Sequence, residues 1–370
     1  MVRKTTKARQ SEKRIDERLL VTYLLTLEVG LVAVYSTSSM IAESRFGSHL
    51  FFLRQQIIWA VLSLLMVWVI TRINLVRFAV YSVPAYVIML GALAAVFLAE
   101  PVNGSQRWLF IGPLTVQPSE FFKLVMIYSL AFSLSNRELN IANWQGLLLK
   151  YGPPIGVALL LIVLEPDLGT TIVIFSTVVG VFFLAGARMK HLLVAATPLA
   201  GIAAFLVFVI GYKKVRILDY IASLADPLQG SYQSMQAALT LGAGGLFGAG
   251  LGDGSQKLFF LPYPHTDFIF AAIGEEIGLL RLLILLLLFM YILFRGFKIA
   301  MAQPDKFGYL LAGGLTLSLF VNMAVNIGVV TCLLPVTGLP LPFISYGGSS
   351  LLISSIAVGV LLNLSRRVKA

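Results

Sequence analysis

Apolar residues fill most of the chain in long runs, separated by short polar stretches. The runs approach ~20 residues, the length of helix that crosses the hydrocarbon core of a bilayer. Strands of a membrane barrel would instead alternate apolar and polar positions over about ten residues. The pattern predicts ten transmembrane helices over residues 19–38, 56–71, 79–99, 118–134, 146–164, 168–187, 192–211, 266–294, 308–331 and 341–364. The expected fold class is therefore all-α, a polytopic membrane protein. Its connectors are unequal. EPDLGT at 165–170 is so short that the fifth and sixth spans form a tight helical hairpin. Residues 212–265 make a long loop between the seventh and eighth spans, and a loop of that length carries structure of its own or a function. Within it, YKKVRILDYI has the character of an amphipathic segment lying on the membrane surface.

Composition agrees with this pattern. The chain is 58% hydrophobic and 12% charged, too apolar for a soluble domain. A formal net charge of +11 raises nucleic acid as a partner, but its distribution argues against one. With the N-terminus inside, nineteen Lys and Arg fall in inner segments and seven in outer ones. That asymmetry is the positive-inside rule, and the basic residues read as cytoplasmic anchors. Both termini are then cytoplasmic: a basic tail at 1–18, the ten-span domain at 19–365 and a C-terminal end at 366–370. No small-residue cleavage site follows the first span, so the start reads as uncleaved. Cys332 is the only cysteine, which excludes an intrachain disulfide and two-cysteine metal motifs. His191 and His265 are too isolated to make a metal site.

The chemistry-bearing residues gather in the outer segments. The stretch 242–278 starts as a glycine-rich run and passes through Pro262 and Pro264 to His265, Thr266 and Asp267, where a long apolar helix begins. A carboxylate there either caps the helix or serves as a general base toward a hydroxyl of a lipid-bound substrate. Glu275 and Glu276 lie about two turns deeper and point roughly 100° apart. They are either structural partners of Arg281 or Lys123, or functional groups facing the bundle interior. Glu28, in the first span, is expected to be paired inside the bundle. Glu120 and Lys123 share a helix face. They either neutralise each other, or Lys123 joins Arg107 in a basic lining for an anionic head group. Glu165 and Asp167 either hold a divalent cation with water or cap the sixth span. Trp108 stands beside Arg107 as the one aromatic placed for a sugar. The glycine run lacks a preceding strand and a GK[ST] ending, so it is no nucleotide loop. It is either backbone that approaches a ligand or a close-packed re-entrant loop. No internal repeat supports an inverted-repeat transporter.

Several long motifs occur together and in order: VAVYSTSS at 32–39, NGSQRW at 103–108, QPSEFFK at 117–123, EPDLGTT at 165–171, GAGGLFGAGLG followed by QKLFFLP, HTDFIFAAIGEE at 265–276, NIGVV at 326–330 and LPVTGLPLPFISYGGSS at 334–350. In these the chain resembles the SEDS family of membrane glycosyltransferases (FtsW, RodA, SpoVE). FLAGA at 183–187 leans toward the FtsW and SpoVE branch. The chain departs from the family pattern at Tyr263, Gly254 and Arg281. The resemblance implies a peptidoglycan polymerase of the bacterial cytoplasmic (inner) membrane. It would join lipid II units at the outer face and release undecaprenyl pyrophosphate. It implies a class B penicillin-binding protein and other division or elongation membrane proteins as partners, and Mg or Mn as an assisting divalent cation. The family's catalytic aspartate maps onto Asp267. Substrate contacts are expected from Arg107, Trp108, Glu120, Lys123, Lys257, His265, Ser345 and Ser349, with Glu165, Asp167, Glu275 and Glu276 as further candidates. A flippase for lipid-linked precursors, an elongation polymerase of the RodA type and a recruiting scaffold are the alternatives. A base at the outer surface favours the enzyme, because transport needs none.

Overall fold

The computed structural model describes residues 15–101, 105–112, 114–135, 144–194, 197, 201, 211, 214–226, 230–254 and 260–368. Helices α1 (Glu17–Phe46), α2 (Phe51–Ile70), the short α3 (Leu75–Ala79) and α4 (Ser82–Ala95) come first. A two-stranded antiparallel hairpin follows, β1 (Leu109–Ile111) with β2 (Leu114–Val116), pairing Leu109 with Val116. Next are α5 (Pro118–Ser135), α6 (Trp144–Leu164) and α7 (Leu168–Ala185). The long loop carries α8 (Lys214–Ala225) and α9 (Tyr232–Ala243). The chain ends with α10 (Ile269–Met301), α11 (Lys306–Val330) and α12 (Gly348–Ser365). Among the described residues, six helices are long and apolar enough to cross a membrane: α1, α2, α7, α10, α11 and α12. This is the expected polytopic helical fold. The expected span 192–211 lies almost wholly outside the described residues, as does the N-terminal tail.

The core forms around α11 and α12. Helix α11 packs against α5, α7, α10 and α12, while α12 packs against α2. Every residue of α12 from Ser349 to Leu364 is buried, as expected of a helix that is apolar all round. Its first residue rests on Trp59, where a Cβ on Gly348 would lie 2.0 Å from the indole.

Several boundaries differ from those predicted, and two of them have a visible local cause. Helix α1 runs on to Phe46 because the hydroxyls of its polar stretch bond back into the helix. Thr37 and Ser38 donate to Ala33 O and Val34 O at 2.8 and 2.6 Å, which hides their polarity. The last span starts at Gly348 rather than 341, because the preceding amides are used elsewhere. Leu341 N donates to Ser345 Oγ at 2.8 Å and Tyr346 N donates to His265 O at 2.9 Å. Glu28 also departs from expectation: it is exposed on the outer face of α1 rather than paired inside the bundle.

The glycine run explains itself against α10. That helix breaks at Gly278, whose φ is 76° and ψ 171°. A break frees amides and carbonyls, and in a bilayer each must find a partner within the protein. Residues 245–250 supply them. Leu279 N and Leu280 N donate to Gly245 O and Leu246 O, while Ala249 N and Gly250 N donate to Glu275 O and Glu276 O, at 2.9–3.2 Å. The two backbones meet so closely that a Cβ on Gly248 would lie 2.2 Å from Glu276 O. Of the two readings of this run, close packing is the one observed.

Gly248 has φ +83°, so a Cβ there meets both steric strain and a clash. Gly248→Ala is expected to cost at least ~1–2 kcal/mol from backbone strain alone. It should lower the melting temperature in detergent, and an unchanged melting point would show that the junction yields freely.

Candidate active site

The site begins at the turn between α6 and α7. Asp167 caps α7: Thr170 N donates to its Oδ1 at 3.0 Å and Thr170 Oγ1 to its Oδ2 at 2.9 Å. Gln117 Nε2 adds a third donor at 3.1 Å. Arg107, just before β1, is clamped on the same turn. Its Nε donates to Glu165 O at 3.1 Å and its Nη2 to Pro166 O, while Nη1 stands 3.8 Å from Asp167 Oδ1. Carbonyl acceptors at fixed positions hold the planar guanidinium in one orientation. Glu165 lies behind, fully buried, and its carboxyl oxygens have no hydrogen-bond partner among the described residues. Burial and the neighbouring Asp167 push it up to about 8, while Arg107 pulls the other way. It is therefore mostly neutral at pH 7 and leaves the Arg107 charge to Asp167.

Asp267 approaches from the other side. The residue before α10 is Phe268 and no side chain caps the helix, so the capping reading of Asp267 does not hold. Its backbone is held instead by Asn326 of α11, whose Nδ2 donates to Asp267 O at 2.8 Å and to Leu339 O at 2.6 Å. One buried amide thus ties two irregular segments together. The Asp267 carboxyl is half-buried. Burial pushes it up to about 6; Arg107 and Arg216 act downward and Asp167 upward.

These residues share a cavity of about 700 Å³, whose wall includes Arg107, Trp108, Asp167, Arg216, Asp267 and Ser349. Ser349 accepts a hydrogen bond from Gln117 N at 3.1 Å. Glu120 reaches the wall as well. Lys123 does not, because it closes on Glu120 at 2.9 Å, buried in a small separate pocket. His265 is turned away. Its ring packs 4.4 Å from Phe52 and 5.7 Å from Tyr346, and burial, then Arg45, pushes it down to about 4. Ser345 is buried with its hydroxyl on Thr266 O at 2.6 Å. Glu275 and Glu276 sit beneath the glycine run, with Glu276 accepting from Ser36 Oγ. Lys257 lies outside the described residues.

Among the described residues, no three His, Cys, Asp or Glu side chains converge to hold a metal ion. No step below is routed through one. The charged groups do not line up as a transport path either. Glu28 faces outward, Lys123 is closed on Glu120 and Glu276 is bonded to Ser36.

Residues 17–370 match the cell cycle protein family of FtsW, RodA and SpoVE. Stage V sporulation protein E of Bacillus subtilis is 40% identical over 359 residues, covering 95% of this chain and 97% of that protein. The probable peptidoglycan glycosyltransferase FtsW of Geobacter metallireducens is 36% identical, covering 96% and 97%. The chain belongs to the FtsW/RodA/SpoVE family. The same holds in three dimensions. A chain of a peptidoglycan synthase complex that coordinates polymerisation and crosslinking superposes with a TM-score of 0.78 at 28% identity, over 95% of this chain and 98% of that one. The rod shape determining protein RodA of Thermus thermophilus gives 0.71 at 28%, over 96% and 98%.

Within this family fold, the sequence reading passed over the residues that hold the aspartate. Asn326 stands in the NIGVV motif, and its signal is that of one of two buried amides, with Asn322, inside an apolar span, where a polar side chain needs a purpose. Arg216 was legible only as a charge on the amphipathic helix.

Asn326→Ala leaves two carbonyls without their donor and is expected to cost ~1–3 kcal/mol, read as a lower melting temperature in detergent. Glu165 gives a pH test. Its raised carboxyl binds a proton more tightly in the folded state, so stability declines as pH climbs from about 4.5 to about 8. Glu165→Gln should flatten that decline and make the protein more stable than the parent at pH 8; an unchanged pH profile of melting would refute it.

Proposed function

We propose that the protein is a peptidoglycan glycosyltransferase that polymerises lipid II, with Asp267 as general base. The observation that carries this reading is a carboxylate with a raised pKa on the wall of a cavity that also holds the clamped Arg107 and the exposed Arg216. The names of its relatives supply the substrate class. In the reaction, the acceptor sugar's hydroxyl gives its proton to Asp267 as its oxygen attacks the anomeric carbon of the donor. The bond from that carbon to the pyrophosphate oxygen breaks, and undecaprenyl pyrophosphate leaves with the electron pair. Arg107 stabilises the departing charge from a fixed position, so little reorganisation is needed. A carboxyl near 6 is mostly ionised at neutral pH yet more basic than an ordinary aspartate, which suits proton abstraction. Trp108, Glu120 and Ser349 position the sugars, and Lys257 adds charge to the pyrophosphate. A divalent cation would enter with the pyrophosphate rather than in a cage of side chains.

The cavity's owner then sits in the bacterial inner membrane with both ends cytoplasmic and the site outward. Its partner is a class B penicillin-binding protein that crosslinks the new strands. The family's description as a cell cycle protein supports a role in division, while the name of the Bacillus subtilis relative points to sporulation.

Asp267→Asn is expected to fold and to lose polymerisation by roughly 10²–10⁴-fold, measured as glycan strands from lipid II with the purified protein and its partner. In the parent, the rate should fall as pH drops below about 6 and the carboxylate takes up its proton. Near-normal strands from Asp267→Asn would remove it as the base.

A further inference from the structure

A second, smaller pocket of about 120 Å³ adjoins the reaction cavity, between α8, α9 and the segment at 335–336. Arg216, Gln233 and Val336 line both spaces, and Arg216 Nη1 donates to Val336 O at 3.3 Å along this shared boundary. The remaining wall is Tyr220, Ser231, Tyr232, Ser234 and Pro335. Its chemistry is uncharged and hydroxyl-rich, with Arg216 only at the threshold. Two tyrosine rings offer flat apolar faces with polar tips, which match the alternating C–H faces and hydroxyl edges of a pyranose. Among the described residues, no carboxylate lines the pocket and no basic cluster draws in a phosphate.

Most polar groups here are already committed to the fold. Tyr220 donates to Leu333 O at 2.8 Å and Tyr232 to Phe260 O at 3.0 Å. Ser231 and Ser234 bond each other at 2.9 Å. These bonds hold the wall rigid, as a pre-formed site requires. Gln233 differs. It is half-buried at the junction of the two spaces, and no hydrogen bond of its side chain occurs among the described residues. An amide presents both a donor and an acceptor, the complement of an acetamido group.

We propose that this pocket is a saccharide subsite that holds an N-acetylhexosamine unit of the glycan strand, one position beyond the sugars that react at Asp267. The inference rests on the glycosyltransferase reading above, and adds what a single coupling does not need: a grip on the strand between couplings. Gln233 pairs with the acetamido group, Tyr232 packs on the ring face and Arg216 accompanies the strand out of the reaction cavity.

The test uses the full-length protein in detergent and a soluble β-1,4-linked tetramer of N-acetylglucosamine as probe. Binding is read by ligand-observed NMR and polymerisation by strand length from lipid II. The parent and Asp267→Asn should bind the tetramer alike. Gln233→Leu keeps the bulk and removes the amide; it should bind about tenfold more weakly and make shorter strands. Tyr232→Ala, which removes a largely exposed ring, should do the same and stands in if Gln233→Leu misfolds. Absence of tetramer binding by the parent, or equal binding and strand length in both variants, would overturn the subsite whatever Asp267→Asn does. Conversely, a polymerising Asp267→Asn that still binds the tetramer would overturn the base and leave the subsite standing.

Discussion

Within a bilayer the backbone has no water to fall back on, so each amide and carbonyl must be paired by the protein itself. That constraint shapes the outer half of this molecule. Where α10 breaks at Gly278, the glycine run takes over the four exchanged hydrogen bonds. Where the chain runs irregularly at Asp267 and Leu339, Asn326 takes both carbonyls. Where α12 starts late, Ser345 and His265 O accept the spare amides. The large cavity is bounded by these repaired irregularities, which fix the backbone around it.

Electrostatics follow from the same geometry. Three carboxyls, Glu165, Asp167 and Asp267, and two guanidiniums, Arg107 and Arg216, act on one another near the cavity. Glu165 is largely protonated and Arg107 stands by Asp167, so the repulsion on Asp267 is limited. Asp267 is then shifted chiefly by burial. The result is an acceptor of protons flanked by cations, the arrangement that charge separation in a displacement reaction calls for.

Much of this was legible beforehand, for reasons that differ by residue. Long apolar runs have few competing interpretations in a membrane, so the spans emerged from hydropathy alone. Arg107, Trp108, Asp167 and Asp267 stood out because the motif resemblance gathered them; charged and aromatic groups at span ends are common in the interface and signal little by themselves. The start of α12 was misread because apolarity does not reveal that amides at 341 and 346 are engaged elsewhere. The glycine run admitted two readings because composition gives flexibility and close packing the same signature. Lys123, His265 and Ser345 carried plausible chemistry in plausible places, yet Lys123 closes on Glu120, Ser345 bonds Thr266 O, and the His265 ring packs on Phe52. Only three-dimensional contact separates a polar group that is spent from one that is available.

The interruption at Gly278 divides α10 into two unequal pieces. Two of the glycine run's hydrogen bonds reach the upper one, at Glu275 O and Glu276 O, and two reach the lower rod, at Leu279 N and Leu280 N, so the run bridges the break. The loop therefore belongs structurally to both pieces of the helix, while Asp267 at the head of the upper one is tied to α11 through Asn326. In hybrid proteins assembled from relatives, the natural unit of exchange would be 242–280 as a block. A seam placed between loop and helix would cut the hydrogen bonds that join the two pieces of α10 across Gly278.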